Sequence, residues 1–244
     1  MKKLLPAIVF SLLPYTATAD FIGFEIGAAY WNPKPGGVIN YMDSGANDFS
    51  DDLNLGDSRE NVLWAAVEHP VPLLPNIKLI KTSLELEGEN GTLNASFGDV
   101  TAGLPGVDSD LTLDQIDAIL YYEILDNWVN LDLGINIKVI DGSAWVSRQP
   151  VSTKESFTAT IPLLYGNAVF ELPFTGFFAG LEASLLSVND NRVTDTTVSL
   201  GYESDIGLGV LAGLRRQSIV LKDTGDVDLD FTVSGPFAGV YFDF

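Results

Sequence analysis

His69 is the only histidine in a chain of 244 residues that has no cysteine, 33 acidic and 13 basic side chains. Thiol nucleophiles, thiolate metal sites and disulfide scaffolds are thereby excluded together. His69 heads a proline-rich stretch, His69-Pro70-Val71-Pro72-Leu73-Leu74-Pro75. A general base must lie within hydrogen-bond reach of its nucleophile, so what this imidazole can do depends on where the fold puts it. The segment Asp48-Phe49-Ser50-Asp51-Asp52-Leu53-Asn54-Leu55-Gly56-Asp57 is rich in oxygen ligands of the kind that hold calcium. Its spacing does not match the EF-hand loop, and a solvated acidic loop is the expectation. Carboxylates are abundant throughout, but abundance is not a catalytic constellation. A formal net charge of -20 argues against nucleic acid as a partner, because phosphate binding rests on clustered Lys and Arg. No cofactor motif is found, and no cofactor is expected.

The elements that must position these groups are strands. With 46% hydrophobic residues and only 19% charged ones the chain is not an acidic disordered polymer. The 23 glycines, 12 prolines and abundant aromatics point to strands and turns. Lys2 and Lys3 precede an apolar stretch from Leu4 to Tyr15 and the small-residue site Ala17-Thr18-Ala19. This is the layout of a secretory signal peptide, cleaved after Ala19; residues 1–19 are the leader and 20–244 one mature domain. The leader's apolar core is too short for a helix across ~30 Å of hydrocarbon, and no later segment approaches the ~20 residues a membrane helix needs. The mature chain is thus either exported and soluble or crosses a membrane as strands.

The other end favours strands. Gly239, Phe242 and Phe244 resemble the carboxy-terminal assembly signal of bacterial outer-membrane β-barrels. Phe242 and Phe244 share one strand face, suited to the lipid interface, and Gly239 lies on the opposite face. Period-two patterning runs through the chain. From Val129 the residues Leu131, Leu133, Ile135, Ile137 and Val139 fall on one face and Asn130, Asp132, Gly134, Asn136 and Lys138 on the other. Ten strands are expected, over about 20–32, 58–69, 77–90, 110–125, 128–146, 153–172, 177–189, 191–204, 207–222 and 228–244, with eight or twelve as alternatives. A bulge is expected near Pro162, where the parity of the 153–172 strand changes. Alternate connectors are short, and the two longest are Asn32–Asp57 and Gly88–Ser109. That asymmetry is the one shown by outer-membrane barrels and places both termini on the periplasmic side. The fold class expected is therefore all-β, a transmembrane antiparallel up-and-down barrel.

A barrel of this size has a lumen filled by side chains rather than a wide channel. The expected inward charges are Glu25, Lys81, Glu85, Glu87, Asp117, Glu123, Asp132, Lys138, Glu182, Asp195 and Arg215. Because an unpaired buried charge is costly, a hydrogen-bonded plug in which Lys81, Lys138 and Arg215 pair with carboxylates is the primary expectation. A lumen with residual negative potential is the alternative. Arg148, Arg192 and Arg216, expected near the outer rim, could contact lipopolysaccharide phosphates.

The stretches Phe24-Glu25-Ile26-Gly27-Ala28-Ala29-Tyr30-Trp31 and Ile161-Pro162-Leu163-Leu164-Tyr165-Gly166-Asn167-Ala168, with the Phe244 ending, resemble a family of uncharacterised small proteobacterial outer-membrane barrels. The resemblance implies the fold and an outer-membrane location in a Gram-negative bacterium only and brings no active residues; outer-membrane lipids, lipopolysaccharide and the barrel-assembly machinery are the expected partners. Small outer-membrane barrels include surface proteases and lipid A-modifying enzymes that place a His at the outer rim, whereas His69 lies on the periplasmic side. The expectation is a non-enzymatic protein with a structural or surface-binding role in the envelope. A narrow channel for small or apolar solutes and an outer-rim carboxylate hydrolase are the alternatives.

Overall fold

The computed structural model describes residues 22–41, 45–224 and 227–244; the expected leader lies outside them. Among the described residues there are twelve strands: β1 (Gly23–Trp31), β2 (Lys34–Tyr41), β3 (Ala46–Asp48), β4 (Glu60–Glu68), β5 (Asn76–Thr92), β6 (Pro105–Leu125), β7 (Val129–Arg148), β8 (Val151–Glu171), β9 (Phe177–Val188), β10 (Asn191–Glu203), β11 (Leu208–Thr224) and β12 (Val227–Asp243). Ten of them, β1 and β4 to β12, pair antiparallel in chain order. β1 then pairs with β12, from Glu25↔Asp243 to Trp31↔Phe237, and closes the barrel. Closure satisfies backbone groups that would otherwise form an open edge.

The outward face of the barrel is apolar wherever the alternation placed it. Ile22, Ile26, Tyr30, Leu133, Ile135, Leu200, Val210 and Leu214 are all exposed. At ~3.3 Å per residue and a tilt of roughly 40°, the row from Val129 to Val139 projects to about 25 Å, the height of the apolar band of outer-membrane barrels. Aromatic residues ring the short-turn end of this band, with Phe177 on Tyr202 at 5.1 Å, Phe242 on Phe244 at 5.3 Å and Trp128 on Phe170 at 5.5 Å between ring centroids.

Three expectations are corrected. The segment Asn32–Asp57 is not simply a loop: β2 carries on from β1 along the upper half of β12, from Lys34↔Ser234 to Tyr41↔Val227, and β3 pairs with β2. No bulge interrupts β8 near Pro162, since its register with β7 is unbroken from Arg148↔Val151 to Val129↔Phe170. Pro162, which has no N–H to give a ladder, instead stands just above Leu164↔Leu185, where pairing with β9 ends. Finally, Lys81, Glu85 and Glu87 face outward, and Lys78, Ile80, Thr82, Leu84 and Leu86 face the lumen.

The reason for the inverted parity of β5 lies in the two long connectors. Both fold into the long-loop mouth, where Phe49, Leu53, Leu55, Leu93, Phe97 and Val100 are buried against Leu84, Leu86, Val107, Val146, Phe231 and Val233. The upper lumen is therefore apolar, while the outer face at the same height has passed the end of the apolar belt and carries charge. Asn47 clamps the two connectors together, donating to the Ala95 carbonyl at 3.0 Å and accepting from the Ala95 N–H at 2.9 Å. Gly88 lets the first connector approach β5, because a Cβ there would lie 2.8 Å from the Asn54 carbonyl and 2.7 Å from the Ser109 hydroxyl. Asn47→Ala is expected to destabilise the cap by ~1–3 kcal/mol, since it leaves the buried Ala95 amide unpaired. Faster protease nicking at residues 93–104 without loss of the folded barrel band checks this; unchanged nicking would contradict the clamp.

Candidate functional site

Halfway along the lumen, inward side chains of β5, β6, β7, β9, β10 and β11 meet in one polar belt. Arg215 donates to both oxygens of Asp195, Nε to Oδ1 at 3.1 Å and Nη2 to Oδ2 at 2.8 Å, and its Nη1 reaches Thr82 at 3.0 Å. This two-pronged geometry is the strong form of a charge-assisted contact. The guanidinium also lies 5.1 Å from the centre of the Trp31 ring. Lys138 Nζ bridges Asp117 at 2.9 Å, Asp195 at 3.2 Å and Gln115 at 3.1 Å. Gln115 and Gln217 exchange reciprocal amide bonds of 3.1 Å, and Gln217 adds a 2.8 Å bond to Asp195. Asn136 links Asp117 and Ser184. Two cations and two carboxylates make the belt neutral as a unit, which is what permits its burial. Thr82, Gln115, Asp117, Asn136, Lys138 and Gln217 are each at most 3% exposed. A water-filled path past them would expose them.

Below the belt the lumen widens into a chamber of about 740 Å³ that opens at the short-turn end. This lies within the ~300–1,000 Å³ typical of ligand sites. Its wall carboxylates are held mainly by neutral donors: Glu25 by Trp64 Nε1 at 2.8 Å and Asp132 by Asn167 at 2.9 Å. Lys78 pairs with Glu182, which also accepts from the Tyr165 hydroxyl at 3.1 Å. At the mouth, four of the strands running toward the short turns end on a chamber-lining acid, Glu68 on β4, Glu171 on β8, Glu203 on β10 and Asp243 on β12, and β6 places Glu123 two residues before its end at Leu125. Their donors are again neutral, Tyr121 to Glu68 at 2.7 Å, Asn76 to Glu123 at 3.3 Å, Asn130 to Glu171 at 2.9 Å and Tyr241 to Glu203 at 2.8 Å. Among the described residues no salt bridge reaches any of the five.

The structure thus brings Asp117, Lys138, Asp195 and Arg215 together in the belt and sets Glu25, Asp132, Glu182 and Glu123 around the chamber. Lys81 and Glu85 belong to neither; the third lumen cation is Lys78. Glu85 and Glu87 instead approach Asp110 on the outer wall, with carboxylate oxygens within 4.8 Å of one another. The amides Gln115, Asn136 and Gln217 complete the belt without carrying charge. Their signal in the sequence was polarity at lumen parity, which attention to charge alone passes over. His69 sits in its turn with both ring nitrogens engaged, Nδ1 accepting from Val71 N–H at 3.3 Å and Nε2 against the Pro75 carbonyl at 3.2 Å. The acidic segment of the first connector is internally satisfied as well: Asp48 accepts from the Ser50 and Asp51 amides, and Asp52 from Asn94 and the Asp48 amide.

Gly239, Phe242 and Phe244 occupy the closing seam. Phe24 and Phe244 exchange backbone hydrogen bonds of 2.8 and 3.1 Å, and their rings lie 5.0 Å apart. Gly239 faces inward opposite Ala29, and a Cβ on it would fall 2.7 Å from the Ala29 Cβ. The missing side chain therefore serves close approach of β1 and β12.

A closed ten-stranded antiparallel barrel with an apolar outer band, short turns at one end and long connectors at the other has the architecture of an outer-membrane β-barrel protein. Comparison with solved structures agrees. The chain resembles the outer membrane protease OmpT from Escherichia coli with a TM-score of 0.55 at 11% identity, over 93% of this chain and 98% of that one. Weaker likenesses are to Ail, the attachment invasion locus protein of Yersinia pestis, with a TM-score of 0.41 at 13% identity over 91% and 99%, and to the transport unit of the autotransporter AIDA-I from Escherichia coli, with 0.42 at 9% over 97% and 94%. No family model matches the sequence, and no curated protein does.

Proposed function

We propose that the chain, after loss of residues 1–19, is an integral outer-membrane barrel of a Gram-negative bacterium that is closed to through-passage and serves a structural and surface-binding role without enzymatic activity. The observation that carries this is the double obstruction of the lumen, first by the neutral belt around Lys138, Asp195 and Arg215 and then by the apolar cap of the two connectors. It weighs against the channel alternative, which needs a wet path. The engagement of both His69 nitrogens by its own turn weighs against histidine-based catalysis. The long-loop end faces outward, where exposed Arg192 and Arg216 stand at the edge of the apolar band and can meet lipopolysaccharide phosphates. Both termini face the periplasm, and the Gly239–Phe244 ending is the segment offered to the barrel-assembly machinery.

Refolded protein in a planar bilayer is expected to give no unitary current steps at any voltage that leaves the bilayer intact. Reproducible steps would overturn the closed reading. Orientation is tested by thiol labelling, which is clean because the chain has no cysteine. An impermeant maleimide on intact cells is expected to label Asp99→Cys on the long-loop side and to spare Thr175→Cys in a short turn. The reverse pattern would overturn the assigned topology.

A further inference from the structure

The short turns, which in a soluble rim would be polar, present apolar side chains at their tips. Leu73 is 90% exposed in the β4–β5 turn, and Phe174 is fully exposed in the β8–β9 turn. Ile206 stands out from the β10–β11 turn, and Leu125 from the end of β6. These are displayed positions rather than frayed ones. Tyr122 donates to the Leu73 carbonyl at 2.8 Å, Thr175 Oγ1 to the Leu172 carbonyl at 2.7 Å and Ser204 Oγ to the Leu208 carbonyl at 2.8 Å. Leu73 and Phe174 hold φ of 71° and 66°, a left-handed conformation that Gly or Asn adopts more readily than a bulky side chain. Inside this apolar circle lies the ring of five acids, Glu68, Glu123, Glu171, Glu203 and Asp243, with no described cation paired to any of them.

We propose that the short-turn end is a docking surface for a basic, apolar-flanked polypeptide segment. Its lysine or arginine side chains enter the mouth of the acidic chamber, and its apolar residues rest on Leu73, Phe174 and Ile206. Charge complementarity selects the occupant. Five acids, four of them held by neutral donors, leave a negative potential that the chain's own cations do not cancel, since Lys78 is committed to Glu182 and Arg215 to Asp195. A chamber shut at its far end focuses that potential toward the opening. Apolar contacts around a charged centre give the buried-core character of a specific interface, which an acidic mouth alone lacks. The proposal rests on the reading that this end faces the periplasm only for the identity of the compartment; the surface itself is independent of it.

The test uses the full mature protein refolded into phosphatidylcholine nanodiscs, which leave both ends accessible and separate this question from topology in cells. The probe is a fluorescein-labelled octapeptide of alternating lysine and leucine, read by anisotropy, with lysine–serine and glutamate–leucine octapeptides for comparison. Saturable binding of the lysine–leucine peptide is expected, weakening as salt is raised. It should fall about tenfold or more in a Leu73→Ser, Phe174→Ser, Ile206→Ser variant, since each lost apolar contact removes a sizeable share of the buried area. A comparable loss is expected in Glu203→Gln with Asp243→Asn. Heat-modifiable migration establishes that each variant is folded. Equal binding to empty discs, equal binding by the variants, or equally tight binding of the lysine–serine or glutamate–leucine peptide would overturn the proposal. A Phe174→Trp variant supplies a second measurement: strong quenching by acyl-brominated lipids would place the tips in the bilayer and also overturn it.

Discussion

Asp195→Ala is expected to lower the unfolding free energy by about 3–5 kcal/mol, because it leaves the buried Arg215 without a carboxylate and Lys138 with one of its two. Asp195 is the carboxylate that Arg215, Lys138 and Gln217 share, and it carries four of the hydrogen bonds in the belt. Its removal leaves Arg215 with Thr82 and Lys138 with Asp117, so the neutral quartet becomes a net positive charge among buried side chains. Asp195→Asn keeps acceptor and shape and should fall between the wild type and the alanine variant. Gln217→Leu removes only neutral-donor bonds and is expected to cost about 1 kcal/mol. Urea unfolding in detergent micelles, followed by tryptophan fluorescence and by the heat-modifiable band, orders these variants. An alanine variant as stable as the wild type would mean that the belt is incidental to the barrel.

Deletion of Phe244 is expected to depress barrel assembly several-fold while leaving synthesis and export intact. The last residue takes part in the seam itself: two backbone bonds with Phe24 are lost with it, as are the ring contacts to Phe24 and Phe242. Near the membrane an unpaired backbone group costs several kcal/mol, because no water replaces its partner. Phe244→Ala keeps the backbone bonds and removes only the ring, so it separates the two contributions and should give a partial defect. The folded, heat-modifiable fraction in isolated outer membranes is the measurement. A deletion that assembles like the wild type would show that the seam closes without its final rung.

The lumen illustrates why part of the site was legible in the sequence and part was not. Asp117, Lys138 and Arg215 stand at lumen parity in strands whose opposite face carries an apolar row at membrane height (Ile116, Ala118 and Leu120; Ile135, Ile137 and Val139; Val210, Ala212 and Leu214), so their inward direction followed from period-two patterning alone. Lys81 and Glu85 were assigned inward by the same rule, that polar residues face the lumen. The rule fails in the upper half of β5 because Phe49, Leu53, Phe97 and Val100 arrive from elsewhere in the chain and make the lumen there apolar. In Asn76-Ile77-Lys78-Leu79-Ile80-Lys81 the apolar residues occupy both parities, and the observed one turns Lys78 inward to Glu182 across the lumen, a partner 104 residues away. The ring of acids at the mouth was present as scattered carboxylates; it became a ring once barrel closure set all five around one chamber.

What the amino-acid sequence by itself determined was the set of barrel strands and, β5 apart, their lipid-facing sides. Each is a local demand: a strand in contact with lipid must be apolar at every second residue, whatever the rest of the chain does. The tertiary structure alone decided which charges meet, that the two connectors fold inward as a cap, and that the remaining acids surround a chamber open at one end. Those outcomes depend on strand stagger and on contacts such as Arg215 with Thr82, 133 residues apart in the chain. No local pattern encodes a partner across the lumen, because the pairing depends on how the whole sheet closes.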